Sequence, residues 1–236
     1  MLNLVTKRAL ALLMGGYLLM GASLAEAGQW LVIDAEGTML VPGTLLVEQQ
    51  EVILAEGARL TLLSNDGQTL KLAGPYSGIP EQKIAANWKE KNLVVLVSLL
   101  QGHSQPASAL GGLRASSRKT PPAGAVDVDR SGKQCLSSDP VVLWRGNAIS
   151  QESVILTDAR GKTLDSRTWP MGEAQLNVPA YYFSDGQDYW IQRRGSAAVK
   201  FQVHKIAQQM ANPVALATWM AENGCQAQAL NVLKNL

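Results

Sequence analysis

The chain has 236 residues, with 21 basic and 19 acidic side chains, two histidines and two cysteines. A near-neutral balance argues against nucleic acid or an anionic membrane surface as the main partner, because both select clustered Lys and Arg. His103 and His204 have no His or Cys close by in sequence, which argues against the tight ligand spacing of common metal sites.

At the N-terminus, Lys7 and Arg8 precede an uncharged run, Ala9 to Ala25, that ends in Ala25-Glu26-Ala27. A basic start, an apolar run and an A-x-A site form the pattern of a Sec-type secretory signal, with cleavage between Ala27 and Gly28. The alternative is an uncleaved anchor, but the run has 17 residues and three glycines, short of the roughly 20 that span a bilayer. No cysteine stands at the cleavage point, so bacterial lipidation is not expected there. The expected address is the periplasm, or secretion. After cleavage the chain carries 19 basic and 18 acidic side chains, and "LVVLVSLL" (93–100) is too short to cross a membrane.

Residues 28–78 read as a small β unit. "WLVIDA" and "GTMLV" are short apolar strands, followed by "GTLLVEQQEVILAEGARLTLLS" with β-branched and alternating positions. Asn65-Asp66-Gly67 is a hairpin turn, since these residues accept positive φ. Around it, Leu60, Leu62, Leu70 and Leu72 alternate with Thr61, Thr69 and Lys71, which gives one buried and one wet face. Gly74-Pro75 ends the return strand. The stretch "EVILAEGARLTLLSNDGQTLKLAGP", within residues 45–76, resembles the FecR-type periplasmic domain in its Gly-led strand, "DG" turn and "L.L.G" return strand. The resemblance implies an envelope β module that contacts other proteins. Only eight residues precede the apolar run, so the family's cytoplasmic signalling segment is not expected here.

Residues 79–100 read as a connecting helix. Pro80 and Glu81 suit a first turn, and Ile84, Ala85, Trp88, Leu93 and Leu96 recur at helical spacing, with a possible break at Lys91-Asn92. "LVVLV" is β-branched and could instead form a strand. Residues 101–125 have the Gly, Pro, Ser and Ala content of a linker. Its cluster of Arg114, Arg118 and Lys119 fits a solvated loop better than a contact with an acidic partner or lipid head groups.

Residues 126–206 read as a β-sandwich. "VDVD", "VVLWRG", "ESVILTD", "AQLNVP", "QDYWIQRRG" and "AAVKFQVHKI" are strand candidates, separated by turns at Asp158–Gly161, Asp185-Gly186 and Gly195. Their number and spacing, and "SDGQDYWIQ" as a penultimate strand, resemble immunoglobulin and fibronectin domains in architecture only. Residues 207–236 switch to helical period. Asn212 caps one helix with Pro213 in its first turn, Asn223-Gly224 stops it, and "CQAQALNVLKNL" forms a second.

Cys135 and Cys225 both follow the signal. An even count in an oxidising compartment reads as one structural disulfide, with two free thiols as the alternative. A redox-active pair would sit closer, as in C-x-x-C. A loop of about 90 residues closed by this bond gives about 4–5 kcal/mol in the chain-entropy model. The bond would pin the helical pair to the sandwich.

Catalytic signatures are sparse. The chain has no G-x-S-x-G elbow, dinucleotide fingerprint or phosphate-binding loop, and "DVDRSG" (127–132) lacks the ligands of a calcium loop. No cofactor or metal is expected. Aromatics concentrate in the second half, and core packing accounts for most of them. "PAYYF" in a strand would send Tyr182 to the face opposite Tyr181 and Phe183. Tyr181, Tyr182, Phe183 and Trp169 therefore form the candidate contact surface. The expected fold is mainly β with minor α. The expected function is a non-enzymatic interaction or scaffold role with another envelope protein; the alternative is binding of cell-wall carbohydrate or peptidoglycan through exposed aromatics.

Overall fold

The computed structural model describes residues 29–47, 49–64, 67–81, 91–104, 120–136, 139–206, 210 and 212–236. The expected signal segment, its cleavage point at Ala27 and Gly28, Asn65-Asp66 of the expected hairpin turn, residues 82–90 of the expected connecting helix and residues 105–119 of the expected linker lie outside the described residues.

The first β body contains β1 (Trp30–Glu36), β2 (Leu45–Leu46), β3 (Val52–Leu54), β4 (Arg59–Ser64), β5 (Thr69–Ala73) and β6 (Tyr76–Gly78). An antiparallel sheet in the order β2-β1-β4-β5 packs on the β3–β6 pair. Trp30, Val32, Leu46, Val52, Leu54, Leu60 and Leu62 fill the space between them. Leu31, Ile33 and Leu63 face the other way, into a helical layer. Burial on both faces explains why β1 opens with the unbroken run "WLVI" instead of alternating. The expected strand "GTMLV" is a loop in which Met39 is 99% exposed. Gly37 and Gly43, at φ +67° and +90°, bound that loop and interrupt the extended backbone that pairing requires.

Helix α1 (Lys91–Ser104) carries the "LVVLV" run as helix, not strand, and takes in Gln101–Ser104 from the expected linker. Tertiary packing overrides β-propensity here: Leu93, Leu96, Leu99 and Leu100 share one buried cluster with Leu31, Ile33 and Leu63, a pattern that only a helical period brings to one face.

The second β body is a sandwich. Its strands are β7 (Val126–Asp127), β8 (Gly132–Leu136), β9 (Val141–Trp144), β10 (Glu152–Asp158), β11 (Thr163–Trp169), β12 (Gln175–Val178), β13 (Asp188–Arg193) and β14 (Val199–Lys205). The sheets run β11-β10-β13-β14-β8 and β12-β9-β7. Pairing is antiparallel except for β8 on β14 and β7 on β9. Leu143, Leu156, Trp169, Phe183, Ile191, Phe201 and Val203 belong to the core between the sheets.

The chain then returns to the first body. Helices α2 (Pro213–Glu222) and α3 (Gln226–Lys234) pack against each other, α1 and β1, forming the layer over the outer face of the first sheet. The Asn212 side chain accepts the Val214 and Ala215 N–H groups at 2.8 and 3.2 Å, and Gly224 takes φ +79° after the helix ends; both are ordinary cap chemistry. The disulfide between Cys135 on β8 and Cys225 at the α2–α3 joint fastens this layer to the edge of the sandwich. The helical pair thus rests mainly on the first β body and is tied to the second. Beside the bond, the Gln228 amide donates to the Ala125 and Cys135 carbonyls at 2.9 and 2.8 Å, and its carbonyl accepts the Cys135 N–H at 2.7 Å. A helix side chain therefore occupies the hydrogen-bonding edge of β8, where another strand would otherwise pair.

Candidate functional site

Two surface features lie at opposite ends of the sandwich, separated by the length of β10, which spans Glu152–Asp158, or about 20 Å at ordinary strand rise. At one end the apolar strand β9 runs into Arg145, which is 0% exposed. Its Nε donates to the Glu173 carbonyl at 3.0 Å, and Nη1 donates to the Ser150 carbonyl at 3.0 Å and the Glu152 carboxylate at 2.5 Å. Nη2 donates to the Pro170 carbonyl at 2.5 Å, and the guanidinium lies 4.9 Å from the centre of the Trp169 ring. An arginine suits this position because its planar fork has five donors and its face stacks on an aromatic ring. The charge is shared further: Glu152 lies 3.5 Å from Arg193, which also bonds Asp129, and Asp129 accepts the Gly146 N–H at 3.1 Å.

The carbonyls held by Arg145 belong to the β9–β10 loop and the β11–β12 loop. A backbone bond from Gly172 N–H to the Ala148 carbonyl at 2.7 Å joins the same two loops. On either side of that bond stand Ile149, 79% exposed, and Met171, 69% exposed. Two apolar side chains are thus held out to solvent on loops whose backbone is fastened from below. Rigid presentation of apolar groups lowers the ordering cost of association.

At the other end, an open cleft of about 450 Å³ is lined by Asp158, Arg160, Leu164, Tyr182, Asp188 and Tyr189 among others. The Asp158 carboxylate accepts the Arg160 and Lys162 N–H groups at 2.9 and 3.0 Å, which shapes the β10–β11 turn. Asp188 pairs with Lys200 at 2.8 Å. The buried Tyr189 phenol oxygen accepts the Ser184 N–H at 2.7 Å. Tyr181 packs edge-on against Tyr182, with ring centres 4.8 Å apart. The Tyr182 phenol titrates above its ordinary value, first because of its hydrogen bond with Tyr181 and second because of partial burial.

The four aromatic residues expected to form one contact surface do not converge. Trp169 and Phe183 are 0% and 1% exposed; they are core side chains, Trp169 beneath Arg145 and Phe183 edge-on to Tyr189 at 5.0 Å. Strand alternation does not apply to "PAYYF", because Ala180–Tyr182 is a 3₁₀ turn, and threefold spacing replaces twofold. The exposed ring is Tyr181, at 80%, while Tyr182 is half-buried at the cleft. Among the described residues no group of three or more His, Cys, Asp or Glu side chains gathers at metal-holding distance. His204 Nδ1 stands 4.0 Å from the Asp185 carboxylate, and His204 is not among the cleft residues. Sequence reading missed Arg145, Ile149 and Met171. The available signals were an arginine directly after an apolar strand and lone apolar residues in the polar loops "GNAISQ" and "PMGEA".

Comparison of the chain with protein-family models, with curated proteins and with solved structures yields no match.

Proposed function

We propose that this is an exported envelope protein that works by binding another protein, without catalytic activity, and that its contact point is the loop pair carrying Ile149 and Met171. The carrying observation is the fully buried Arg145 guanidinium, which fastens both loops and leaves those two side chains exposed. Burying a guanidinium is costly unless its donors are satisfied, and here the donors are spent on the backbone of loops that bear the exposed apolar pair. The N-terminal signal pattern and the joined cysteines support an oxidising address. The FecR-like pattern of residues 45–76 adds a resemblance to an envelope module of the same general role.

A photo-crosslinking amino acid at position 149, introduced into the full chain in cells, tests this. One envelope protein is expected to be captured at position 149 and not at the exposed apolar control position Met39, and Met171→Ser is expected to reduce the capture at least fivefold. Equal capture at both positions, or none at either, would sink the proposal.

A further inference from the structure

The cleft at the other end of the sandwich is independent of the Ile149–Met171 loops and has a different chemistry. Its volume of about 450 Å³ falls within the roughly 300–1,000 Å³ of small-molecule sites. Two carboxylates, Asp158 and Asp188, line it together with Arg160, and Asp188 is balanced by Lys200 at 2.8 Å. Formal charge therefore cancels around the opening, which disfavours a strongly charged ligand of either sign. What remains is a set of paired acceptors and donors around aromatic and apolar surface: carboxylates, the Gln187 amide, the Ser184 hydroxyl and the Tyr182 phenol, with the half-buried Tyr182 ring and Leu164 above the buried Tyr189. Tyr182 is braced by the edge-on Tyr181 ring. Tyr189 is fixed by the bond that its phenol oxygen accepts from Ser184, and this leaves the phenol proton for a further acceptor.

From this juxtaposition we infer that the cleft seats one or two pyranose rings of a neutral saccharide. A pyranose offers an apolar C–H face to an aromatic ring, and its neighbouring hydroxyls donate in pairs to a carboxylate while accepting from amides and phenols. The cleft is preformed, because the β10–β11 turn is fixed by Asp158 and the 3₁₀ turn is held by the Tyr182 and Phe183 backbone N–H groups, which donate to the Pro179 and Ala180 carbonyls at 3.3 and 3.2 Å.

The test is a titration of the chain from Gly28 onward, followed by amide chemical shifts, with four probes: N,N′,N″-triacetylchitotriose, cellotriose, glucuronic acid and spermidine. One or both neutral trisaccharides are expected to shift the amides of Tyr182, Ser184, Gln187 and Asp188. Tyr182→Ala and Asp188→Asn are expected to weaken binding at least tenfold, and Gln187→Ala about threefold. Gln187 is exposed, so its substitution keeps the test valid if a cleft-wall variant fails to fold. Ile149→Ser with Met171→Ser is expected to leave the shifts unchanged, which separates this site from the protein-contact proposal. Absence of shifts with both trisaccharides up to 20-fold molar excess at millimolar protein, shifts only with spermidine or glucuronic acid, or unchanged affinity in Gln187→Ala would overturn the inference.

Discussion

Replacing Arg145 with methionine removes the guanidinium while keeping a long unbranched side chain in the same space. Four hydrogen bonds are lost, to the carbonyls of Ser150, Pro170 and Glu173 and to the Glu152 carboxylate. Bonds to a charged group contribute about 1.5–3 kcal/mol each, so four set a ceiling of about 6–12 kcal/mol. Two observations lower it. The carbonyls belong to Ser150, Pro170 and Glu173, all exposed residues that water can reach, and Glu152 keeps Arg193 at 3.5 Å. The expected loss is therefore about 3–5 kcal/mol, the range for removing one partner of a buried ion pair. Urea unfolding followed by tryptophan fluorescence measures it, and hydrogen exchange locates it: protection of the Gly172 N–H, which bonds Ala148, should fall more than that of the Ile191 N–H in the middle of β13. Adding Glu152→Gln should restore part of the loss, with a coupling above about 1 kcal/mol, because the carboxylate that lost its short partner and keeps only Arg193 at 3.5 Å is then gone. A loss under about 1 kcal/mol with Gly172 protection intact would show that the loops hold without the guanidinium.

Four further outcomes follow from the same geometry. Removing the Cys135–Cys225 bond, whose partners are 90 residues apart, should cost about 4–5 kcal/mol in the chain-entropy account, read by denaturant midpoint in Cys135→Ala/Cys225→Ala; a change under about 1 kcal/mol would refute the staple. Gln228→Leu leaves the Cys135 N–H and the Ala125 and Cys135 carbonyls without their partner, and should cost about 3 kcal/mol or more, since each unsatisfied buried group costs about 1–3 kcal/mol. Gly74→Ala would place a Cβ 1.7 Å from the Ala55 carbonyl oxygen and should abolish soluble folded protein, whereas Gly161→Ala, at φ +78° in open space, should cost about 1–2 kcal/mol; equal thermal midpoints for the two variants would contradict the close approach. Finally, Tyr182 should ionise above an ordinary tyrosine in an ultraviolet pH titration, with Tyr181→Phe moving it back. Because the unfolded phenol ionises first, the folded state's advantage at this group is present below the ordinary value and is lost as pH climbs through the raised one.

Local chemistry made several elements legible from the sequence alone. The cap at Asn212-Pro213, the stop at Asn223-Gly224, the leucines alternating at 60, 62, 70 and 72, and the strands around Val154 and Ile191 all depend on neighbours within a few residues. Three strands escaped notice: β6, directly after Gly74-Pro75, and "GKQCL" and "TLDSRTW", which are β8 and β11, the edges of the larger sheet. Strand β11 buries little and carries polar or charged side chains, as its Asp165–Arg167 pair shows, so its alternation is faint, whereas β8 buries its last three residues in an unbroken run with no alternation to read. The candidate site was the least legible part. Whether an aromatic points into the core or out to solvent turned on a 3₁₀ turn at Ala180–Tyr182 that no periodicity announces.

The sequence by itself determined that this chain is β-rich with a helical tail and that its two cysteines suit each other. Only the tertiary structure decided that the helical tail returns to cover the first sheet, that Gln228 occupies the edge of β8, and that Arg145 binds two loops lying 5 to 28 residues downstream. The physical reason is range. Caps, turns and alternation are settled by adjacent backbone, whereas a buried guanidinium or an edge-covering amide is stable only when distant segments deliver every partner at once.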